Sequence, residues 1–152
     1  MTKFITTIAF VCMATFAQVD IAKAEMVKVA SPYSVAETLD RLETVVTGAG
    51  AKVFARVEHA KGAAMIGQDI APMALLVFGK PEVGTPALVA NPLAGVVLPA
   101  RVLGYEDSDG KVWLVYENPA DMFAQFGIAP DAPVVMTLTK VLGALTGKAV
   151  AQ

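Results

Sequence analysis

Residues 73–78 are apolar at every position, in the sequence Met-Ala-Leu-Leu-Val-Phe. Successive side chains of a β-strand point to opposite faces of the sheet, so this strand would present apolar side chains on both faces. Such strands normally lie inside a sheet and not at its edge. The segment therefore predicts a sheet with neighbouring strands on either side of it.

A helix is predicted before this strand, and it opens at Ser34. The serine lies three residues before Glu37, and together the two residues match a capping box. In this motif the serine oxygen accepts a free backbone amide of the first turn, and the glutamate side chain accepts the backbone amide of the serine. Apolar residues then recur at helical spacing, namely Val35, Leu39, Leu42 and Val46. The pattern predicts an amphipathic helix that ends near residues 48–50.

Four further segments have strand character: 27–30, 52–58, 96–106 and 111–117. The second alternates, with Val53, Ala55 and Val57 on one face. The last two are joined through residues 107–110, Asp-Ser-Asp-Gly, whose Asp-Gly pair predicts a tight hairpin turn. The same residues resemble the start of a calcium-binding loop, but they do not match its pattern. Gly110 comes too early, and Asn118 stands where a glutamate is needed.

Helices are predicted after residue 85, over 119–126 and from 133 onward. In the first of these, Thr85 is the expected N-cap and Pro86 the first helical residue, with Gly79–Pro86 as the preceding loop. The resulting order is β-α-β-β-α-β-β-α-α, in which neighbouring strand pairs favour hairpins. The predicted fold is an α+β domain with a mainly antiparallel sheet of about five strands and helices packed on one face.

The N-terminal segment, residues 1–24, has the pattern of a secretory signal. A basic start at Lys3 precedes an apolar stretch, and Ala22-Lys23-Ala24 is a small-x-small cleavage site before Glu25. We expect cleavage between Ala24 and Glu25, a periplasmic or secreted product, and one domain over residues 25–152. The alternative is an uncleaved amphipathic anchor.

The expected mature chain is poor in the groups that many functions require. The only cysteine, Cys12, lies in the leader, which excludes thiol catalysis and zinc-thiolate sites. Removing Lys3, Lys23 and Asp20 from the 12 basic and 14 acidic residues leaves 10 and 13. This acidic balance argues against nucleic-acid binding. No apolar run after residue 24 approaches the ~20 residues of a spanning helix, so no membrane association is expected after cleavage.

Two stretches resemble an uncharacterised bacterial family, domain-of-unknown-function family 302. They are LLVFGKPEVGTP at 75–86 and LPARVLGYEDSDGKVWLVY at 98–116, supported by SPYSVAETLDRLE at 31–43 and VFARVEHA at 53–60. Lys80 departs from the short polar residue expected in this family. The resemblance implies a compact α+β fold and supplies no activity.

His59 is the only histidine, so any imidazole base or ligand must be this residue. Strand parity places it on the core side at the end of its strand, where a structural histidine is the ordinary interpretation. The alternatives are a general base of a small-molecule hydrolase or isomerase, or a copper or haem ligand together with Met65 or Met73. The scattered methionines are more typical of core packing, and no cofactor is predicted.

Two groups of residues are candidates for ligand binding. Lys80 and Thr85 flank the start of a predicted helix, where free amides favour anions. Tyr105, Trp113 and Tyr116 lie on the predicted hairpin, with Trp113 and Tyr116 on opposite faces. The leading hypothesis is an exported domain without evident catalysis that binds a small molecule or a protein through these residues; a homo-oligomer is possible.

Overall fold

The structure is a computed structural model that describes residues 25–152; the predicted leader, residues 1–24, lies outside the described residues. The elements are β1 (Met26–Ser31), α1 (Val35–Gly48), β2 (Lys52–Val57), α2 (His59–Met65), β3 (Met73–Gly79), α3 (Pro81–Ala90), a 3-10 helix (Pro92–Val96), β4 (Ala100–Glu106), β5 (Val112–Glu117), α4 (Pro119–Ala124) and α5 (Pro133–Val150). The predicted α+β order is confirmed, with α2 added in the connection after β2.

The five strands form one antiparallel sheet in the order β1-β5-β4-β3-β2. Helices α1 and α5 pack together on one side of it, and α3 and α4 pack against α5. We call this side the helix face. The opposite side, the open face, carries Met73, Leu75 and Val77 of β3, Arg101, Leu103 and Tyr105 of β4, and Trp113, Val115 and Glu117 of β5.

Strand β3 lies between β4 and β2, as its apolar sequence predicted. Its helix-face side chains, Ala74, Leu76 and Phe78, are buried. Its side chains on the open face are only half-buried. The prediction of an interior strand is therefore confirmed, but helices cover only one of its two apolar faces.

Helix α1 begins where the capping box predicted. The Ser34 hydroxyl oxygen accepts the Glu37 amide at 3.3 Å, and the buried side chains of the helix form one stripe over the sheet. The Thr38 and Ser31 hydroxyls are 2.6 Å apart, which satisfies a buried polar group and joins α1 to β1. Arg41 Nε donates to the carbonyl of Ala149 at 2.8 Å and so ties α1 to the end of α5.

The predicted loop over Gly79–Pro86 is wrong. Helix α3 begins five residues earlier than expected, with Lys80 as N-cap and Pro81 in the first turn. Pro86 lies inside the helix, where it removes one amide and leaves the carbonyl of Glu82 without its helical partner. Glu82 is exposed, so water can bond to that carbonyl. Thr85 is consequently a residue of the helix and not its cap.

The expected strand start at Val96 is also wrong. Residues 92–96 form a 3-10 helix, and β4 begins at Ala100. Pro99 immediately precedes the strand and has no backbone N–H to donate to a neighbouring strand. Pairing with β3 therefore starts at Ala100, which lies opposite Phe78.

The Asp107 carboxylate organises the turn between β4 and β5. Its Oδ1 accepts the backbone amides of Asp109 and Lys111 at 3.0 and 2.9 Å, and its Oδ2 accepts the Trp113 indole N–H at 2.8 Å. These bonds favour the charged carboxylate, the Trp113 bond most of all, and hold the pKa of Asp107 below its ordinary value of 3.8. The aspartate therefore serves the hairpin and fixes the orientation of Trp113.

Gly104→Ala tests the packing between α1 and β4. A Cβ at this position would lie 2.9 Å from Cγ of Leu39, which is fully buried. We expect the substitution to lower the free energy of unfolding by about 1–3 kcal/mol, the usual cost of overpacking. The control is Gly62→Ala in α2, where nothing lies within 4 Å of the new Cβ and helix propensity should improve. Equal stability of the two variants in urea unfolding would contradict this packing.

Asp107→Asn tests the hairpin turn. If the asparagine oxygen keeps the two backbone amides, its NH₂ group faces the Trp113 indole N–H, and two donors oppose each other. We expect a lower thermal midpoint near neutral pH. Because the folded-state pKa is depressed, the stabilisation by Asp107 is present above pH 3.8 and is lost as pH falls below it. The variant should therefore lose less stability than the wild type on acidification. Asp109→Asn, in the same turn, is the control and should retain the wild-type pH dependence.

Candidate functional site

The sheet has a break between β4 and β5. The two strands pair over only four register positions, from Leu103 opposite Val115 to Glu106 opposite Val112. On their other sides, β5 pairs with β1 along its whole length, and β4 pairs with β3 from Ala100 to Tyr105. The sheet is therefore two continuous ladders that are joined through one short hairpin.

The register shows where the hairpin separates. Continued beyond Leu103, it would place Val102 opposite Tyr116 and Arg101 opposite Glu117, but the ladder stops before both pairs. Further along, the same register would oppose Pro99 and Pro119, neither of which can donate a backbone N–H. No ladder bond from these two prolines can close the far end of the hairpin. We call the place where this pairing is missing, between Ala100–Arg101 and Tyr116–Glu117, the strand gap.

A cavity of about 500 Å³ lies at the strand gap and extends over the open face. Its walls come from both sides of the sheet, so it passes from the open face towards α5. The open-face wall residues are Met26, Lys28, Met73, Leu75, Arg101, Leu103, Tyr105, Val115 and Glu117; those on the helix face are Val97, Ala100, Tyr116, Met122, Leu138 and Leu142. Most of these side chains are apolar, and we call this space the strand-gap cavity.

Charged groups lie at the open-face end of the strand-gap cavity. Lys28 Nζ donates to the Tyr105 hydroxyl at 3.3 Å and lies 5.9 Å from the centre of its ring. Arg101 and Glu117 stand on the two separated strands, and neither makes an ion pair within 4.0 Å with any residue of 25–152. The cavity thus combines an apolar interior with two cations and one carboxylate at its entrance.

Tyr116 lines the interior wall with its ring, while its hydroxyl lies against α5. Its side chain is buried on the helix face, and its hydroxyl lies beside Gly143 of α5. Burial raises the pKa of the Tyr116 hydroxyl above its ordinary value of 10, and the nearby Thr146 hydroxyl opposes that shift. The phenol therefore stays protonated at neutral pH and is able to donate a hydrogen bond.

A second cavity of about 360 Å³ lies beside α3 and contains two of the predicted ligand residues, Lys80 and Thr85. Its walls are mainly apolar and include Phe54, Val83 and Leu98. The Lys80 ammonium reaches towards the turn after α1, since its Nζ lies 3.5 Å from the position of a Cβ on Gly50. Lys80 and Thr85 therefore share a cavity with each other but not with the aromatic candidates.

The three aromatic candidates separate in the structure. Tyr105 and Tyr116 line the strand-gap cavity from opposite faces of the sheet, whereas Trp113 lines neither cavity. Trp113 lies on the open face with its indole N–H bound to Asp107. The predicted opposite orientation of Trp113 and Tyr116 is confirmed by their alternating burial.

The prediction that His59 faces the core is wrong. Strand β2 ends at Val57, so His59 is the first residue of α2, and its side chain is exposed. It lines neither cavity; of the two methionines grouped with it, Met65 is 87% exposed and Met73 lines the strand-gap cavity. Within the described chain, no cluster of three or more His, Cys, Asp or Glu side chains is placed to hold a metal ion.

Sequence reasoning missed the charged entrance of the strand-gap cavity, formed by Lys28, Arg101 and Glu117. Strand parity would have assigned Arg101 and Glu117 to the same face as Tyr105 and Trp113. The pattern continues unchanged through the point where the ladder stops, so it contains no sign of the separation. The available signal was the presence of a proline just outside each strand end, at Pro99 and Pro119.

None of the helices formed by residues 25–152 combines the length and apolar character that a membrane crossing requires. The chain is 36% identical over 116 residues to the protein named fluoride-specific ion channel FluC 1 of Brucella suis biovar 1 (strain 1330), covering 75% of this chain and 46% of that protein. A protein of the same name from Brucella abortus biovar 1 (strain 9-941) matches at 36%, with 43% of its length covered. The chain thus spans less than half of these relatives.

A solved structure shares the fold. It is the crystal structure of an uncharacterized conserved protein DUF302 from Bacillus stearothermophilus, with a TM-score of 0.74 and 21% identity, covering 82% of this chain and 97% of that one. The family model described as domain of unknown function DUF302 matches residues 27–145, nearly the whole described chain. The protein belongs to the DUF302 family.

Proposed function

We propose that the protein binds a small ligand with an apolar body in the strand-gap cavity. The observation that carries this proposal is the cavity at the end of the β4–β5 ladder, whose lining residues come from both faces of the sheet. Its volume of about 500 Å³ falls within the range of small-molecule sites. A mainly apolar wall with a few polar groups is also typical of such sites.

The fold favours a ligand that enters from the open face. Leu103 and Val115 form the last pair before the ladder stops and lie on that face, while Leu138 and Leu142 of α5 close the helix-face end. An alkyl chain inserted between them would lose much of its contact with water. Each methylene buried in this way contributes about 0.8 kcal/mol.

The same proposal includes export. We infer that the chain is cleaved after Ala24, and the contact made by Glu25 supports this site. The Glu25 backbone nitrogen donates to Asp121 Oδ2 at 2.8 Å. Cleavage before Glu25 would turn that amide into a charged ammonium, which forms a stronger hydrogen bond to a carboxylate. The contact is exposed, so its contribution to stability is modest.

The names of the Brucella relatives add one ligand to the tests. Those proteins are named as fluoride-specific channels, but more than half of their length has no counterpart in the matched part of this chain. We therefore infer the class of ligand from the walls of the strand-gap cavity, and we include fluoride in the binding experiments as a comparison. A fluoride ion is too small and too polar to make apolar contacts with the walls of this cavity.

A series of linear alcohols tests the apolar cavity. In titration calorimetry with the protein purified from cells that express the full chain, affinity should rise about fourfold with each added methylene until the cavity is filled. Leu103→Trp places a larger side chain in the wall and should weaken every alcohol. Sodium fluoride at matched concentration should give no heat of binding.

Ala55→Trp is the matched control for Leu103→Trp. Ala55 is exposed on β2, pairs with Val77, and does not line the strand-gap cavity. This variant should retain wild-type affinity. Affinities that do not depend on chain length, or that fall equally in both tryptophan variants, would remove the basis for binding in this cavity.

The export proposal is tested by mass. When the full chain is expressed in a Gram-negative bacterium, the protein released by osmotic shock should have the mass of residues 25–152. Ala24→Lys removes the small residue that the signal peptidase requires and should leave the leader attached. A wild-type product that keeps residues 1–24 and remains with the membrane fraction would instead support the uncleaved anchor.

A further inference from the structure

We propose that the ligand of the strand-gap cavity is a medium-chain carboxylic acid whose carboxylate is bound by Arg101. This inference rests on the proposed function, since it assigns the chemical class of the ligand in that cavity. It is carried by the position of Arg101: a guanidinium without an ion pair among residues 25–152, on the strand edge where the apolar cavity opens.

The broken ladder explains why Arg101 is left without a partner. In a continuous hairpin its register partner on β5 would be Glu117, on the same face of the sheet. Directly opposed side chains of opposite charge pair across antiparallel strands. The β4–β5 ladder stops after Leu103, and Arg101 and Glu117 make no ion pair within 4.0 Å, so a ligand carboxylate can take the place of Glu117 beside Arg101.

Guanidinium chemistry favours a carboxylate in that place. Arg101 offers a planar set of N–H donors that matches the two oxygens of a carboxylate, and such charge-assisted pairs are among the stronger hydrogen bonds. Arg101 is exposed and pairs on β3 with Val77, an apolar residue that offers no competing acceptor. Arg101 therefore lines the cavity from its solvent-exposed side, where the head group of a ligand with its chain inside would lie.

The net charge of the residues at the entrance favours a ligand with a single negative charge. Lys28 and Arg101 together with Glu117 give a local balance of one positive charge, in a chain whose residues from 25 onward carry a net negative charge. Lys28 Nζ donates one hydrogen bond to the Tyr105 hydroxyl at 3.3 Å, and Arg101 has the planar donor set that makes it the principal partner of a carboxylate. Glu117 repels an anion. Arg101 on β4 should therefore strengthen the binding of a carboxylate, and Glu117 on β5 should weaken it.

The experiment compares decanoate with decanol, which share a chain and differ in the charge of the head group. At neutral pH the protein should bind decanoate about two- to fivefold more tightly than decanol, as expected for an ion pair at an exposed position. Arg101→Gln should abolish this preference and leave decanol affinity within about twofold of wild type. Arg101→Lys should restore part of the preference, because it keeps the charge without the planar geometry.

Glu117→Gln should have the opposite effect to Arg101→Gln: it should raise the affinity for decanoate and leave the affinity for decanol unchanged. Lys140→Gln is the matched control: it removes one positive charge from an exposed position on α5 outside the cavity and should change neither affinity. Equal binding of both ligands by the wild type, or an equal loss of both in Arg101→Gln, overturns the carboxylate assignment but leaves the apolar cavity standing. Failure of both ligands to bind overturns the proposed function itself.

Discussion

The four register pairs between Leu103–Glu106 and Val112–Val115 are the connection on which the whole sheet depends. They join a two-stranded ladder, β1-β5, to a three-stranded ladder, β4-β3-β2. A two-stranded hairpin is only marginally stable by itself in water, so this joint needs support from its surroundings. Helices α1 and α5 supply it: α1 contacts strands of both ladders, and α5 packs along α1 and contacts β1. The helix layer therefore spans both ladders and supports the joint between them.

Among residues 25–152, helices cover only the helix face of the sheet, and the open face has no such cover. On the helix face, Leu39 approaches the backbone of Gly104 so closely that no larger residue fits without movement, and this contact fixes α1 over the joint. No comparable layer covers the open face, whose apolar side chains on β3, β4 and β5 stay half-buried. The cavity lies where the sheet pairing has ended and the helices still hold the two halves together.

Local signals predicted the local features of this fold. Ser34 and Glu37 located the start of α1, and Asp109-Gly110 located the hairpin, because each depends on backbone bonds within a few residues. The start of α3 was missed since two prolines, Pro81 and Pro86, both suit a first helical turn, and the earlier one begins the helix. Which lysine, tyrosine or arginine lines a shared cavity could not be read from the sequence. That depends on where pairing between β4 and β5 stops, and side-chain periodicity is the same for paired and separated strands.

The separation also explains why the site suits binding. Its interior offers a mainly apolar surface, to which Leu103, Val115, Leu138 and Leu142 contribute. Its entrance offers fixed charges on two strands that belong to different ladders, with Arg101 on one and Glu117 on the other. A ligand that bonds to Arg101 and inserts its chain beside Leu103 and Val115 would contact both ladders at once. It would add contacts at the place where the sheet lacks its own, so binding in the cavity should also stabilise the joint between the two halves.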